Sequence, residues 1–121
     1  MLAEATGGVP AGEALLAVPD AAERMGVVVT KVLDLMRKGQ LLAVRVGGVR
    51  YIPELFFNPN GELNKFVPGL LSLLQDGGYE PHEIFSYLYE EDDSLPGRPI
   101  DAIHGHLARE VMRRAQAMAI A

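Results

Sequence analysis

The 121-residue chain is long enough for one ordinary domain or two very small ones, and 49% of its residues are hydrophobic. It has no cysteine, which excludes disulfides and cysteine zinc sites and is typical of a reducing compartment. No apolar run approaches the roughly 20 residues of a membrane span, and the N-terminus lacks a basic secretory start. We therefore expect a cytoplasmic protein without a membrane anchor.

The first structured region is predicted to contain two helices joined by a tight turn. Pro19 suits the first turn of a helix, because its fixed φ is helical and its missing N–H would have no partner there. Gly26 predicts the end of this helix and Gly39 the end of the next. Spacings of three and four residues predict the buried face of the second helix. That face comprises Val29, Val32, Leu33 and Met36.

A β-hairpin is predicted after the second helix, with Gly47-Gly48 as a two-residue turn, since glycine accepts the positive φ of such turns. This register places Arg45 directly opposite Arg50. Like charges on facing positions are mildly destabilising, so the pattern indicates an anion near them, such as a DNA phosphate. The predicted pairs are Val46 with Val49, Arg45 with Arg50, Val44 with Tyr51, and Ala43 with Ile52.

The net charge of −5 hides a segregation along the chain. Residues 19–53 carry six basic and three acidic residues, whereas residues 54–97 carry one basic and nine acidic residues. A local basic excess is what a nucleic-acid footprint requires, even in an acidic protein. The two helices and the hairpin are therefore the predicted contact region.

This region resembles the excisionase and MerR type of winged helix-turn-helix, found in a small actinobacterial DNA-binding family, in the segments AAERMGV, TKVLDLMRKGQL and AVRVGGVRYIP. The resemblance implies that the second helix enters the major groove and the hairpin acts as a wing on the backbone or minor groove. One departure is Val28-Val29, where many relatives place a Ser or Thr cap. By position, the implied DNA-binding residues are Thr30, Lys31, Asp34, Arg37, Lys38, Arg45, Gly47, Gly48 and Arg50.

The rest of the chain is predicted to be helical. An aromatic pair followed by turn residues at 56–61 predicts a boundary, and Pro68, Pro81 and Pro99 predict three helix starts. The expected fold class is mainly α with a small β-hairpin wing, that is, a winged helix-turn-helix followed by a helical C-terminal domain. The expected divisions are a flexible tail 1–14, the winged domain 15–57, a linker 58–65 and the helical domain 66–121. The apolar stripe of the final helix comprises Ile100, Ile103, Leu107, Val111, Met112 and Ala115.

The C-terminal half has its own resemblance, carried by IFSYLYEEDDSLPGRPIDAIHGHLAREVMRRAQAM. It resembles the C-terminal region of the same actinobacterial family and, more loosely, the toxin-binding domain of Xre/MbcA/ParS antitoxins. The expected function is a DNA-binding transcriptional regulator. The alternative is a protein-interaction module, an antitoxin or adaptor, whose C-terminal helices bind a protein partner. A weaker alternative is a small-molecule sensor with a pocket lined by Phe56, Phe57, Tyr79 and Phe85, although aromatics at such spacing are usually core.

Catalytic and metal-binding patterns find little support. On a helix, His104 and His106 would point about 200° apart, so they could not share a metal. Neither glycine pair has the spacing of a phosphate loop. We therefore expect no metal site, no cofactor and no enzymatic activity.

Two forms of control are considered. A phosphate on Thr6 would add about −1.5 to −2 charges and oppose DNA binding, which would make a Ser/Thr protein kinase a partner; the alternative is a plain disordered terminus. The stripe on the final helix could be a dimer seam or an internal core, and the internal interpretation is favoured because the other helices need a surface to pack on. Monomer and homodimer both remain open.

Overall fold

The computed structural model describes residues 7–121 and divides them into a winged half and a helical half. This confirms the predicted fold class, and no helix within the described range is long and apolar enough to cross a membrane. The winged half contains β1 Leu15–Ala17, α1 Val18–Met25, α2 Val29–Arg37, β2 Val44–Val46 and β3 Val49–Pro53. After a 3₁₀ turn at Glu54–Phe56, the helical half contains α3 Val67–Asp76, α4 Pro81–Tyr89, α5 Pro99–Ala102 and α6 Ala108–Ile120.

Helices α1 and α2 pack against each other through a tight turn. Gly26 ends α1 in the left-handed conformation with φ of 72°, as predicted for a glycine cap. The buried residues of α2 are Val32 and Leu35, whereas Val29 is 39% exposed. The predicted buried face was therefore wrong at Val29, because this residue lies in the first turn of α2, at its exposed end.

The sheet has the strand order β1-β3-β2, and both strand pairs are antiparallel. The predicted turn is confirmed, since Gly47 and Gly48 have φ of 59° and 81°. Three of the four predicted cross-strand pairs are present, including Arg45 opposite Arg50. The fourth was wrong, because β2 begins at Val44 and Ala43 therefore lies outside its ladder with β3. Strand β1 was not predicted, since three residues are too few to show an alternating pattern.

One hydrophobic core joins the two halves. The ring of Phe56, at the end of the winged half, stacks on Phe85 of α4 with ring centroids 6.2 Å apart. Phe57 is also buried, and the Tyr79 hydroxyl donates a hydrogen bond to the Met118 carbonyl at 3.3 Å. Phe56 and Phe85 are therefore core residues, whereas Phe57 also lines a surface pocket of about 1080 Å³, so the small-molecule alternative stays a prediction.

Gly8, Val9 and Glu13 are held against the rest of the chain, so this part of the predicted flexible tail is ordered structure. Val9 is 2% exposed. Gly8 lies so close to α4 that an added Cβ would be 2.6 Å from the His82 carbonyl oxygen. Glu13 forms an ion pair with Arg98 at 2.8 Å. Thr6 lies outside the described residues.

The predicted linker 58–65 is also fixed, chiefly by Asn64, which is 5% exposed. Its Nδ2 donates to Asn58 Oδ1 at 3.1 Å and to the Ile103 carbonyl at 3.2 Å. Its Oδ1 accepts a hydrogen bond from the Phe66 amide at 2.9 Å. A buried amide with partners on three segments holds the connection between the halves in one position.

The predicted single helix from Pro99 was wrong, because the chain forms α5 and α6 separated by a turn at residues 103–107. The amide of Gly105 bonds to the Ala102 carbonyl, three residues back, so the α-helical pattern stops there. The His104 ring reaches across to the winged half, where its Nε2 lies 2.6 Å from the Leu55 carbonyl. The stripe nevertheless lies inside, since Val111 and Ala115 are both fully buried.

Candidate nucleic-acid interface

The polar side of α2 is exposed as predicted. Thr30 and Lys31 lie in its first turn and are open to solvent. The side chains of Arg37 and Lys38, at its end, are 72% and 58% exposed. Three exposed basic residues therefore lie on α2 and at its C-cap.

Asp34 lies between these basic residues and binds two of them. Its Oδ2 is 3.0 Å from the Lys38 ammonium, and its Oδ1 accepts a hydrogen bond from the Arg37 guanidinium. The hydrogen bond from Lys38, assisted by the charges of Lys38 and Arg37, holds the pKa of Asp34 below its usual value. Asp34 therefore fixes two cations and partly neutralises them, while Lys31 has no ion pair within residues 7–121.

The wing places Arg45 and Arg50 side by side at its exposed surface. Neither has a carboxylate partner among the described residues, and Arg45 only donates a 3.5 Å hydrogen bond to the Gly48 carbonyl. The turn at Gly47-Gly48 is open, with no heavy atom within 4 Å of an added Cβ at either position. A rigid partner such as a phosphate backbone can approach this tip closely.

Helix α2 and the wing meet at a groove of about 510 Å³. Arg37 of α2 and both wing arginines, Arg45 and Arg50, line it together. Leu33 and Met36 contribute an apolar surface beside them. The structure thus brings together predicted residues from both elements, whereas Lys31 lies six residues before Arg37 on α2, about 9 Å along the helix axis and about 120° around it. We use the term recognition face for Lys31, Arg37, Lys38, Arg45 and Arg50.

The helical half holds the end of α2 in place. The Gly39 carbonyl accepts a 2.9 Å hydrogen bond from Gln75 Nε2 and a 3.3 Å hydrogen bond from the Ser72 hydroxyl, both on α3. The sequence gives no signal for this contact, because its partners are more than 30 residues apart. Gln75 and Ser72 are therefore positioning residues that the sequence analysis missed.

The sequence analysis also missed three exposed valines near this interface. Val28 is 69% exposed, Val29 is 39% exposed and Val49 of the wing is 48% exposed. The sequence did contain one signal for them, because Val28 stands where many relatives have a Ser or Thr cap.

The histidines do not form a metal site. His104 Nδ1 lies 3.4 Å from Asn64 Nδ2, so the ring joins the hydrogen-bond network between the halves. Within residues 7–121, no group of three or more His, Asp or Glu side chains is arranged to hold a metal ion.

A helix-turn-helix followed by a β-hairpin is the architecture of winged helix-turn-helix proteins, and α1, α2, β2 and β3 form it here. A family model described as "DNA-binding protein Rv2175c, wHTH domain" matches residues 5–57. A second model, described as "Rv2175c C-terminal domain of unknown function", matches residues 65–119. The chain belongs to the Rv2175c family.

A curated relative and a solved structure agree with this assignment. The DNA-binding protein Rv2175c of Mycobacterium tuberculosis is 44% identical over 132 aligned positions, which cover 93% of this chain and 90% of the relative. The NMR structure of Rv2175c matches with a TM-score of 0.81 at 42% identity, covering 98% of this chain and 94% of that chain. The likenesses to excisionases, MerR proteins and Xre-type antitoxins stay predictions.

Proposed function

We propose that this protein is a non-enzymatic transcriptional regulator that inserts α2 into the major groove of double-stranded DNA and places the wing on the backbone or minor groove. The observation that carries the proposal is the common groove of Arg37, Arg45 and Arg50. Guanidinium groups from two elements can grip phosphates on both sides of a groove, while the helix reads the bases between them.

Electrostatics determine the strength expected of this binding. Each neutralised phosphate adds about −0.9 to the slope of log K against log salt on duplex DNA. Three cations of the recognition face, Lys31, Arg45 and Arg50, have no carboxylate partner within residues 7–121. The net charge of −5 opposes the approach of DNA. We therefore expect an affinity for DNA that is modest and falls strongly as the salt concentration rises.

Fluorescence anisotropy with a random duplex across a salt series tests the proposal. We expect the Arg45→Ala/Arg50→Ala variant to weaken binding and to reduce the salt slope by about 1.8, since two phosphate contacts are lost. Lys31→Ala should weaken binding and reduce the slope by about 0.9, the value for one contact.

The matched control compares two arginines in equivalent settings. Arg37 on the recognition face and Arg113 on α6 are each 72% exposed, and each pairs with a carboxylate three residues earlier. Arg37→Ala should reduce affinity and Arg113→Ala should not. Equal losses would show general attraction rather than a defined face, and no binding at low salt would favour the protein-interaction alternative for the C-terminal helices.

Phosphorylation of Thr6 by a Ser/Thr protein kinase is a second proposal, about control of DNA binding. Gly7, the next residue, lies against Val44 of β2, where an added Cβ would be 3.4 Å from Val44 Cγ1. A phosphate on Thr6 would add about −1.5 to −2 charges, which would repel the phosphates of DNA. Thr6→Glu should weaken DNA binding while Thr6→Ala leaves it unchanged; equal affinity of both variants would contradict the proposal.

A further inference from the structure

Two adjacent apolar side chains project into solvent at the start of α2. Val28 is 69% exposed and Val29 is 39% exposed, which places both among the few large hydrophobic residues exposed within residues 7–121. Neither belongs to the buried core. The fold gains little from valine at these positions.

Val28 is also unfavourable for the helix that it precedes. It occupies the N-cap of α2, and no side-chain hydrogen bond caps the helix there. Ser, Thr, Asp or Asn would satisfy one of the free amides of the first turn, whereas valine cannot. Two unfavourable features therefore coincide, an uncapped helix start and exposed apolar surface.

We propose that Val28 and Val29 contact the C5-methyl groups of thymine in the major groove and give the protein a preference for thymine at the contacted positions. The inference rests on the proposed docking of α2. The N-terminal residues of a recognition helix are the ones that reach base edges. Thymine is the one unmodified base that presents a methyl group in the major groove, and apolar side chains read it.

The surroundings of the pair favour DNA over a second copy of this chain. Lys31 is exposed and has no ion pair among the described residues, and its amide donates a 3.0 Å hydrogen bond to the Val28 carbonyl, so a cation of the recognition face lies next to the pair. A stable protein interface buries about 800 Å² on each partner, far more than two valines supply. The apolar surface of two valine side chains is enough to cover one or two thymine methyl groups.

The test compares duplexes that differ only in methyl groups. One AT-rich duplex contains thymine, and its twin contains deoxyuridine at every thymine position. Burial of one methyl group corresponds to a roughly fourfold change in Kd. We expect the wild type to bind the thymine duplex roughly fourfold tighter, or more if both valines find a methyl group. Replacing cytosine by 5-methylcytosine in a GC-rich duplex should likewise increase affinity.

The Val28→Ser/Val29→Ser variant removes every γ-methyl group of the pair, and serine at 28 can cap α2. It should bind both AT-rich duplexes equally. Ile120→Thr is the control, because Ile120 is 87% exposed at the end of α6, and this variant should keep the wild-type difference.

Several results would overturn the inference. Equal wild-type affinity for the two AT-rich duplexes, with normal salt dependence, would refute methyl recognition and leave the docking proposal standing. If the double variant still bound the thymine duplex more tightly than the deoxyuridine duplex, other residues would contact the methyl groups. A change of sedimentation between wild type and double variant would assign the valines to self-association. No binding to any duplex would refute the inference together with the proposed docking.

Discussion

The winged half and the helical half use their basic side chains in different ways. Three of the four arginines in residues 98–121 form an ion pair with a carboxylate. These are Arg98, Arg113 and Arg114. Among the described residues, none of their carboxylate partners pairs with a basic residue of the winged half. On the recognition face, three of the five cations have no carboxylate partner within residues 7–121, namely Lys31, Arg45 and Arg50. The pairing of charges therefore supports the proposed interface on the recognition face, whereas the net charge of −5 alone would have argued against one.

The apolar residues divide in the same way. The apolar stripe of the last two helices packs into the core of the chain, where Ile100, Val111 and Ala115 are fully buried. The winged half instead exposes Val28, Val29 and Val49 around its cations. The helical half thus buries its apolar stripe, and the predictions below test how far the two halves depend on each other.

The largest expected effect comes from the aromatic contact between the halves. Phe56 is 1% exposed and stacks on Phe85, so Phe56→Ala should lower the free energy of unfolding by about 3–5 kcal/mol. Because one core joins the halves, urea unfolding followed by circular dichroism should keep a single transition. The partly buried Phe66 provides the control, and Phe66→Ala should cost less. Two separated transitions would show that the halves unfold independently.

The next effect concerns the N-terminal segment that packs on the helical half. Gly8 and Gly12 have similar positive φ angles, 97° and 89°. An added Cβ on Gly8 would clash with the His82 carbonyl, whereas Gly12 is surrounded by open space. Each alanine variant should lose about 1–2 kcal/mol of folding stability, because alanine is strained in the left-handed backbone. Gly8→Ala should lose about 1–3 kcal/mol more because of the clash. Equal thermal shifts for the two variants would mean that this segment does not pack as described.

These contacts show where sequence reasoning succeeds. Gly26 and Gly47-Gly48 were predicted because turn chemistry is local: a positive φ is needed, and glycine accepts it. The facing arginines followed from the turn, since a two-residue turn fixes the register of the hairpin. The surface positions of Lys31, Arg37 and Lys38 followed from helical spacing in the same way.

Features that depend on distant parts of the chain could not be predicted. The bond from Gln75 to the Gly39 carbonyl and the ion pair of Arg98 with Glu13 join residues 36 and 85 positions apart. The break between α5 and α6 was missed because the apolar spacing continues across it. The contact of His104 with the Leu55 carbonyl, 49 positions away, accompanies that break.

A smaller effect is expected where the helical half holds α2. Gln75→Ala removes the hydrogen bond to the Gly39 carbonyl and should cost about 0.5–1.5 kcal/mol of stability. Amides just after α2, including that of Gln40, should exchange faster with deuterium, and DNA affinity should fall. Gln116→Ala, at an exposed position of α6, is the control. Unchanged exchange near Gln40 in the Gln75 variant would contradict a positioning role.

The smallest effect is on titration within the recognition face. The pKa of Asp34 is lowered chiefly by its hydrogen bond with Lys38, so Lys38→Ala should raise it towards the usual value near 3.9. A folded-state pKa below the unfolded one stabilises the protein above the unfolded pKa, and this stabilisation is lost as the pH falls through the folded pKa. NMR of the Asp34 carboxyl carbon across pH 2–6 measures this rise in pKa. Arg37→Ala should raise the Asp34 pKa less than Lys38→Ala does. An unchanged Asp34 pKa in the Lys38 variant would disprove the pairing.

Asp34→Asn extends that comparison from proton binding to DNA binding. Removing the carboxylate frees Arg37 and Lys38 and deletes one negative charge from the middle of the recognition face. DNA affinity at low salt should therefore rise, and the gain should shrink as salt screens the phosphates. Asp20→Asn, on the exposed first turn of α1, removes an equal charge elsewhere and should give a smaller gain. If both variants gained equally, net charge would govern binding; a larger gain at Asp34 would show that the pairing of cations on this face controls it.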